Sequence, residues 1–230
     1  MRSDVVLPGS RGGLPEAATS HGGVAATAAA AIAPLRLTGV LLFILAAQFM
    51  TVMMLAASMA PQYDINGGAI SDLGVIGETA LLFNVSLVVV GVLNVAAGLV
   101  LYRATGRRSI LAVFAVAGLG ALGAGLVPLD VSGLHGIFAL AAFLFFNIEA
   151  ILIGAVVSGP MRAVSWIVGL TGIGFVGLMV IGDAGNPGVF GAIGHGGAER
   201  MIVYPVMLWL LAFGGYLMAG GRVTAAGSAG

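Results

Sequence analysis

The stretch RLTGVLLFILAAQFMTVMMLAAS, residues 36–58, decides what kind of protein this is. One arginine opens it and no other charge interrupts it, and about 20 such residues in a helix cross a hydrocarbon core of roughly 30 Å. A cleavable secretory leader is the competing reading, because LAASMA closes the run with small residues. The run is too long for the apolar core of a leader, a tail of about 35 residues precedes it, and Pro61 follows the would-be cleavage point. It therefore reads as a retained membrane span.

Five further apolar runs follow, at 79–101, 109–127, 134–157, 164–182 and 199–219. With 60% hydrophobic residues, 8% charged residues and a mean hydropathy of +1.12, the chain lies far from soluble domains. The expectation is an all-α polytopic membrane bundle of six transmembrane helices over residues 34–220. Residues 1–33, rich in Gly, Ala and Ser, read as a disordered tail in which AATAAAAIA forms a short interfacial helix before Pro34. Residues 221–230 make a second, short tail.

The connections set an orientation. YRATGRRS and SGPMRAV are short and basic, whereas APQYDINGGAISDLGVIGE, PLDVSG and GDAGNPGVFGAIGHGG are acidic or neutral. With both termini cytoplasmic, eight of the nine arginines lie inside (Arg2, Arg11, Arg36, Arg103, Arg107, Arg108, Arg162 and Arg222) and Arg200 alone lies outside, as the positive-inside rule expects for a cell-membrane protein. The net charge of zero and the scattered arginines leave no basic stripe for nucleic acid. The absence of cysteine removes disulfides, thiolate metal sites and cysteine nucleophiles. Glycines in GLGALGAG (118–125) and GLTGIGFVG (169–177) fit close helix packing in lipid; they follow no strand, so they do not signal a nucleotide site.

Ionisable residues concentrate at the outer helix ends. Asp64, Asp72, Glu78, Asp130, His135, Asp183, His195, Glu199 and Arg200 lie there, joined by Asn66, Ser71, Asn84 and Asn186, with Tyr204 about 10 Å below the start of the last helix. Helix caps and turns account for many of these types, and Ser71, Asp72 and Ser132 are candidate N-caps. The histidines carry more information: His21 sits in the tail, and the two in the folded part, His135 and His195, both lie at outer helix ends. With Asp72 they are candidate ligands for a divalent metal such as zinc, although no i, i+3 or i, i+4 pair makes the pattern specific. In HGGAER (195–200) the expected arrangement is a Glu199–Arg200 charge pair, with His195 facing the same vestibule as Asp72 and His135.

Two polar groups lie deeper. Glu149 sits about 22 Å below the start of its helix and Asn94 at similar depth. A carboxylate there costs about 2.5–3.5 kcal/mol on insertion scales, so it needs a bundle-facing partner, with Gln48, Asn94, Asn147 and Thr171 as candidates.

AISDLGV after the first helix, LFN early in the second, one histidine entering the fourth and GAERMIVYP opening the sixth resemble, as a set, the prokaryotic membrane family called domain of unknown function 998, over about residues 36–220. That resemblance implies six helices and carries no activity with it. ISDLG is also similar, more distantly, to a loop of the DRAM and Frag type six-helix proteins. Ser71, Asp72, His135 and His195 resemble part of the zinc site of alkaline ceramidase type hydrolases, without the third histidine or the paired helical spacing.

Three functions fit these residues. A vestibule can bind a lipid headgroup, a small solute or a protein partner of unknown kind. A metal-dependent lipid hydrolase or transferase can use His135, His195 and Asp72. A proton-coupled transporter can use Glu149 and the outer cluster as two points on a path.

Overall fold

The computed structural model describes residues 18–131 and 133–227. The proposed cap Ser132 and the tail residues 1–17 and 228–230 lie outside the described residues. Among the described residues every regular element is helical, and six helices are long and apolar enough to cross a membrane. In chain order they are α1 (Ala18–Met59), α2 (Ala80–Thr105), α3 (Arg108–Leu126), α4 (Leu134–Val156), α5 (Pro160–Asp183) and α6 (Gly194–Met218). This is a multi-pass membrane protein. Lipid offers the backbone no hydrogen bonds, so each apolar run closes its own by coiling.

α1 begins at Ala18, inside the stretch read as a tail, and carries Pro34 within it; its span is Ala33–Met59. The other boundaries lie within four residues of the apolar runs, except that α6 starts five residues early, which places HGGAER in its first two turns. Ser71 and Asp72 do not cap α2, whose N-cap is Thr79. They belong to a separate 3-10 helix, Ile70–Gly74, where Asp72 Oδ2 accepts the Ala69 N–H at 2.9 Å.

Each helix packs on its chain neighbours and α6 returns to α1, closing a ring that α4 and α6 also bridge from inside. Glycine sets the closest crossings. A Cβ on Gly39 would sit 2.6 Å from the Gly214 carbonyl oxygen, and one on Gly214 2.7 Å from that of Gly39, so α1 and α6 meet backbone to backbone. Gly91 of α2 and Gly118 of α3 make the same reciprocal contact. In α5, Gly169 and Gly172 abut Asn147 of α4, while Gly174 and Gly177 face open space.

The bundle has two distinct ends. At one, the C-terminal segment folds back across the α2–α3 and α4–α5 connections: Thr224 N–H donates to the Val156 carbonyl (2.9 Å), Ala226 N–H to that of Thr105 (2.8 Å), and Arg107 Nε to that of Thr224 (2.6 Å). The other end, carrying the α1–α2, α3–α4 and α5–α6 connections, contains the polar cluster and is called the loop end below.

Candidate functional site

HGGAER works as a clamp. Arg200 is buried and its guanidinium donates to the carbonyls of Ile65 (2.8 Å), Gly68 (3.2 Å) and Gly196 (2.8 Å) and to the Tyr63 hydroxyl (2.5 Å), with its carbon 5.5 Å from the Tyr63 ring centre. Glu199, also buried, accepts the Ile70 N–H at 2.5 Å. The expected Glu199–Arg200 charge pair is therefore not what forms. Adjacent helical residues point about 100° apart, so the two side chains grip one loop at different places, the carboxyl on a donor and the guanidinium on acceptors. Glycine makes the seat: a Cβ on Gly196 would lie 2.7 Å from the Ile65 carbonyl oxygen and closer still to that of Gly68. Asn66 completes the seam, its carbonyl accepting the Gly196 N–H (2.9 Å) and its amide donating to the Ala192 carbonyl (3.0 Å). Burial holds the Tyr63 hydroxyl above the ordinary phenol pKa, against the opposing pull of Arg200.

The clamped loop forms one wall of a cavity of about 710 Å³ among the 3-10 helix, α4, α5 and α6. Six of the residues expected at the outer site line it: Ser71, Asp72, His135, Asp183, His195 and Glu199. The remaining walls are apolar, chiefly Phe143, Met179, Leu140 and Val180. Leu140 of α4 and Val180 of α5 remain 45% and 52% exposed, so the apolar lining continues to the bundle surface. A smaller cavity of about 50 Å³ lies against it and shares Ser71, His135, Phe143 and Glu199 in its lining.

His135 is buried, 4% exposed, and its Nδ1 lies 2.7 Å from the Val127 carbonyl oxygen. A carbonyl only accepts, so Nδ1 carries the proton there, and in the neutral ring Nε2 is a lone pair. That Nε2 is buried without a partner. His195 Nε2 lies 3.2 Å from Asp183 Oδ1, and its ring stands edge-on to Phe190 with centres 5.2 Å apart.

The other residues expected at the site serve elsewhere. Asn84 donates to the Gly74 carbonyl (2.8 Å) and holds the end of the 3-10 helix. Asp130 is exposed on the α3–α4 connection, outside the cavity. Tyr204 is half-buried against the apolar core. Among the described residues no three of His, Asp and Glu gather to hold a metal ion, so the ligand set of His135, His195 and Asp72 does not assemble. Asp72 turns an oxygen to its own loop backbone, and His135 is tethered to Val127.

Below the cavity, Asn94 Nδ2 donates to Glu149 Oε1 (2.6 Å) and to the Phe114 carbonyl (3.0 Å). Of the four candidate partners for Glu149, Asn94 is the one engaged. Gln48 pairs with Ser86 Oγ at 2.8 Å, and Asn147 donates to the Phe143 and Ile202 carbonyls. Glu149 is fully buried, and its Oε2 and Asn94 Oδ1 have no partner.

A family model described as a protein of unknown function, DUF998, matches residues 43–216, a segment that includes the clamp and the cavity. The chain belongs to that family. Comparison with curated proteins and with solved structures returns no match. For this DUF998 protein, the site itself carries the functional argument.

The sequence left two parts of the site unmarked. Tyr63 looks like an ordinary loop residue until α6 is laid against it, and Phe143 and Met179 look like any apolar residue of a span. Being the one aromatic of the α1–α2 connection was the available signal for Tyr63.

Proposed function

We propose that this is a cell-membrane protein with both termini cytoplasmic, whose loop end forms an outward-facing vestibule that binds the headgroup of a membrane amphiphile. The carrying observation is the 710 Å³ cavity, where His135, Asp72 and Asp183 meet apolar walls that run out to exposed Leu140 and Val180. A polar recess joined to an apolar flank suits a molecule that is itself half polar, and a protein in a bilayer meets such molecules at that depth. Arg36, Arg103, Arg107, Arg108, Arg162 and Arg222 lie toward the end that carries the C-terminal segment and support the orientation.

Two experiments test the reading. Ala139 lines both cavities, so Ala139→Trp fills the vestibule from α4. Native mass spectrometry of protein released from membranes in polymer nanodiscs should find an amphiphile on the wild type and a several-fold lower occupancy on Ala139→Trp. Equal occupancy in both would sink the proposal. Because the chain lacks cysteine, Asp130→Cys and Ser158→Cys each give one thiol on opposite ends. A membrane-impermeant maleimide added to intact cells should label the first and spare the second.

A further inference from the structure

We infer that the vestibule selects an amphiphile whose head is a primary ammonium group. This rests on the vestibule reading above and adds the chemistry of the ligand to it.

The polar atoms that converge on the cavity are mostly acceptors. Asp72, Asp183 and Glu199 bring three carboxyl groups to the lining, and neither arginine nor lysine lines it. The single arginine of this end, Arg200, is spent on loop carbonyls and the Tyr63 hydroxyl, while His195 takes up one oxygen of Asp183. A neighbouring cavity of about 450 Å³ shares Asp72 and adds Asp64 and Glu78, which extends the negative field over the same end.

An acidic lining alone would say little; His135 supplies an independent observation. Its Nδ1 proton is committed to Val127, and His135 lines both the vestibule and the small cavity beside it. Its Nε2 is left as a buried, unpartnered acceptor. A buried acceptor without a donor is costly, and a bound donor removes that cost. An ammonium group has three N–H donors and a positive charge, so it can engage Nε2 and the carboxylates together. A phosphate head presents more acceptors to acceptors, and a hydroxyl brings one donor and no charge. The alkyl chain then leaves along Leu140 and Val180, because the side cavity of about 50 Å³ is too small for a long alkyl chain.

The test uses three probes of equal chain length, dodecylamine, dodecyl phosphate and dodecanol. Each is titrated into the full-length protein in phosphatidylcholine nanodiscs, with empty discs subtracted. Dodecylamine should saturate with a Kd at least tenfold below those of the other two. That preference should fall to about one in an Asp72→Asn, Asp183→Asn double variant, which keeps both shapes and the Ala69 hydrogen bond. His135→Phe should weaken the amine most and leave the phosphate unchanged, with circular dichroism and gel filtration showing a folded protein. Equal affinities, or a preference for the phosphate, would overturn the ammonium assignment and leave the vestibule reading standing. Failure of all three to saturate would overturn both.

Discussion

Removing Arg200 should open the loop that walls the vestibule without unfolding the bundle. Arg200→Ala strips a charged donor from two loop carbonyls, Ile65 at 2.8 Å and Gly68 at 3.2 Å. Hydrogen bonds to charged groups contribute about 1.5 kcal/mol each at the low end, which gives about 3 kcal/mol. A cation in the first turns of α6 also faces the positive helix end, and its removal returns about 0.3–1 kcal/mol. The net loss of about 2–3 kcal/mol corresponds to a roughly thirty- to hundredfold rise in loop opening, since each 1.4 kcal/mol is tenfold. Hydrogen exchange read by mass spectrometry should show this over residues 63–72, where the Gly68 and Ile70 amides are held by Asp64 and Glu199. Peptides from the middle of α2 and α6 should exchange as before. Arg200→Lys keeps the charge without the planar fork and should fall between the two. Wild-type exchange across 63–72 in Arg200→Ala would refute the clamp, and a matching rise throughout the bundle would refute its being local.

Gly214→Ala puts a methyl 2.7 Å from the Gly39 carbonyl oxygen and should cost about 1–3 kcal/mol, read as a lower thermal midpoint in detergent; Gly177→Ala, facing open space, should cost nothing measurable. Asn94→Leu leaves the Glu149 carboxyl without its donor and should destabilise the bundle by about 3 kcal/mol, whereas Asn94→Leu with Glu149→Leu should recover most of the loss. Additive losses in that unfolding cycle would show that the pair is not coupled. Tyr63 is held protonated by burial, so its folded pKa exceeds its unfolded one, and its contribution to stability is present below about pH 10 and lost as the pH rises through the folded pKa. Absorbance titration at alkaline pH should show one late phenol that Tyr63→Phe removes, and its persistence in that variant would assign it to another tyrosine.

Much of the architecture was legible without coordinates. Each apolar run is long enough to span and must be helical in lipid, so length and hydropathy already determine six helices and a multi-pass protein. Polar residues at a helix end are visible in the same way, and Ser71, Asp72, His135, Asp183, His195 and Glu199 do line one cavity. Partners are another matter. Glu199 meets Ile70 across 129 positions and Arg200 meets Tyr63 across 137, while the residues themselves are neighbours that look paired in the sequence. No local pattern encodes such contacts, because they depend on how α6 is rotated and on which loop folds over its glycine seat. The sequence thus determined which segments enter the membrane, a property of each segment alone. Only the tertiary structure decided that Arg200 faces loop carbonyls, that Asn84, Asp130 and Tyr204 leave the site, and that His135 keeps a free nitrogen, because each depends on the rotation of one helix against others.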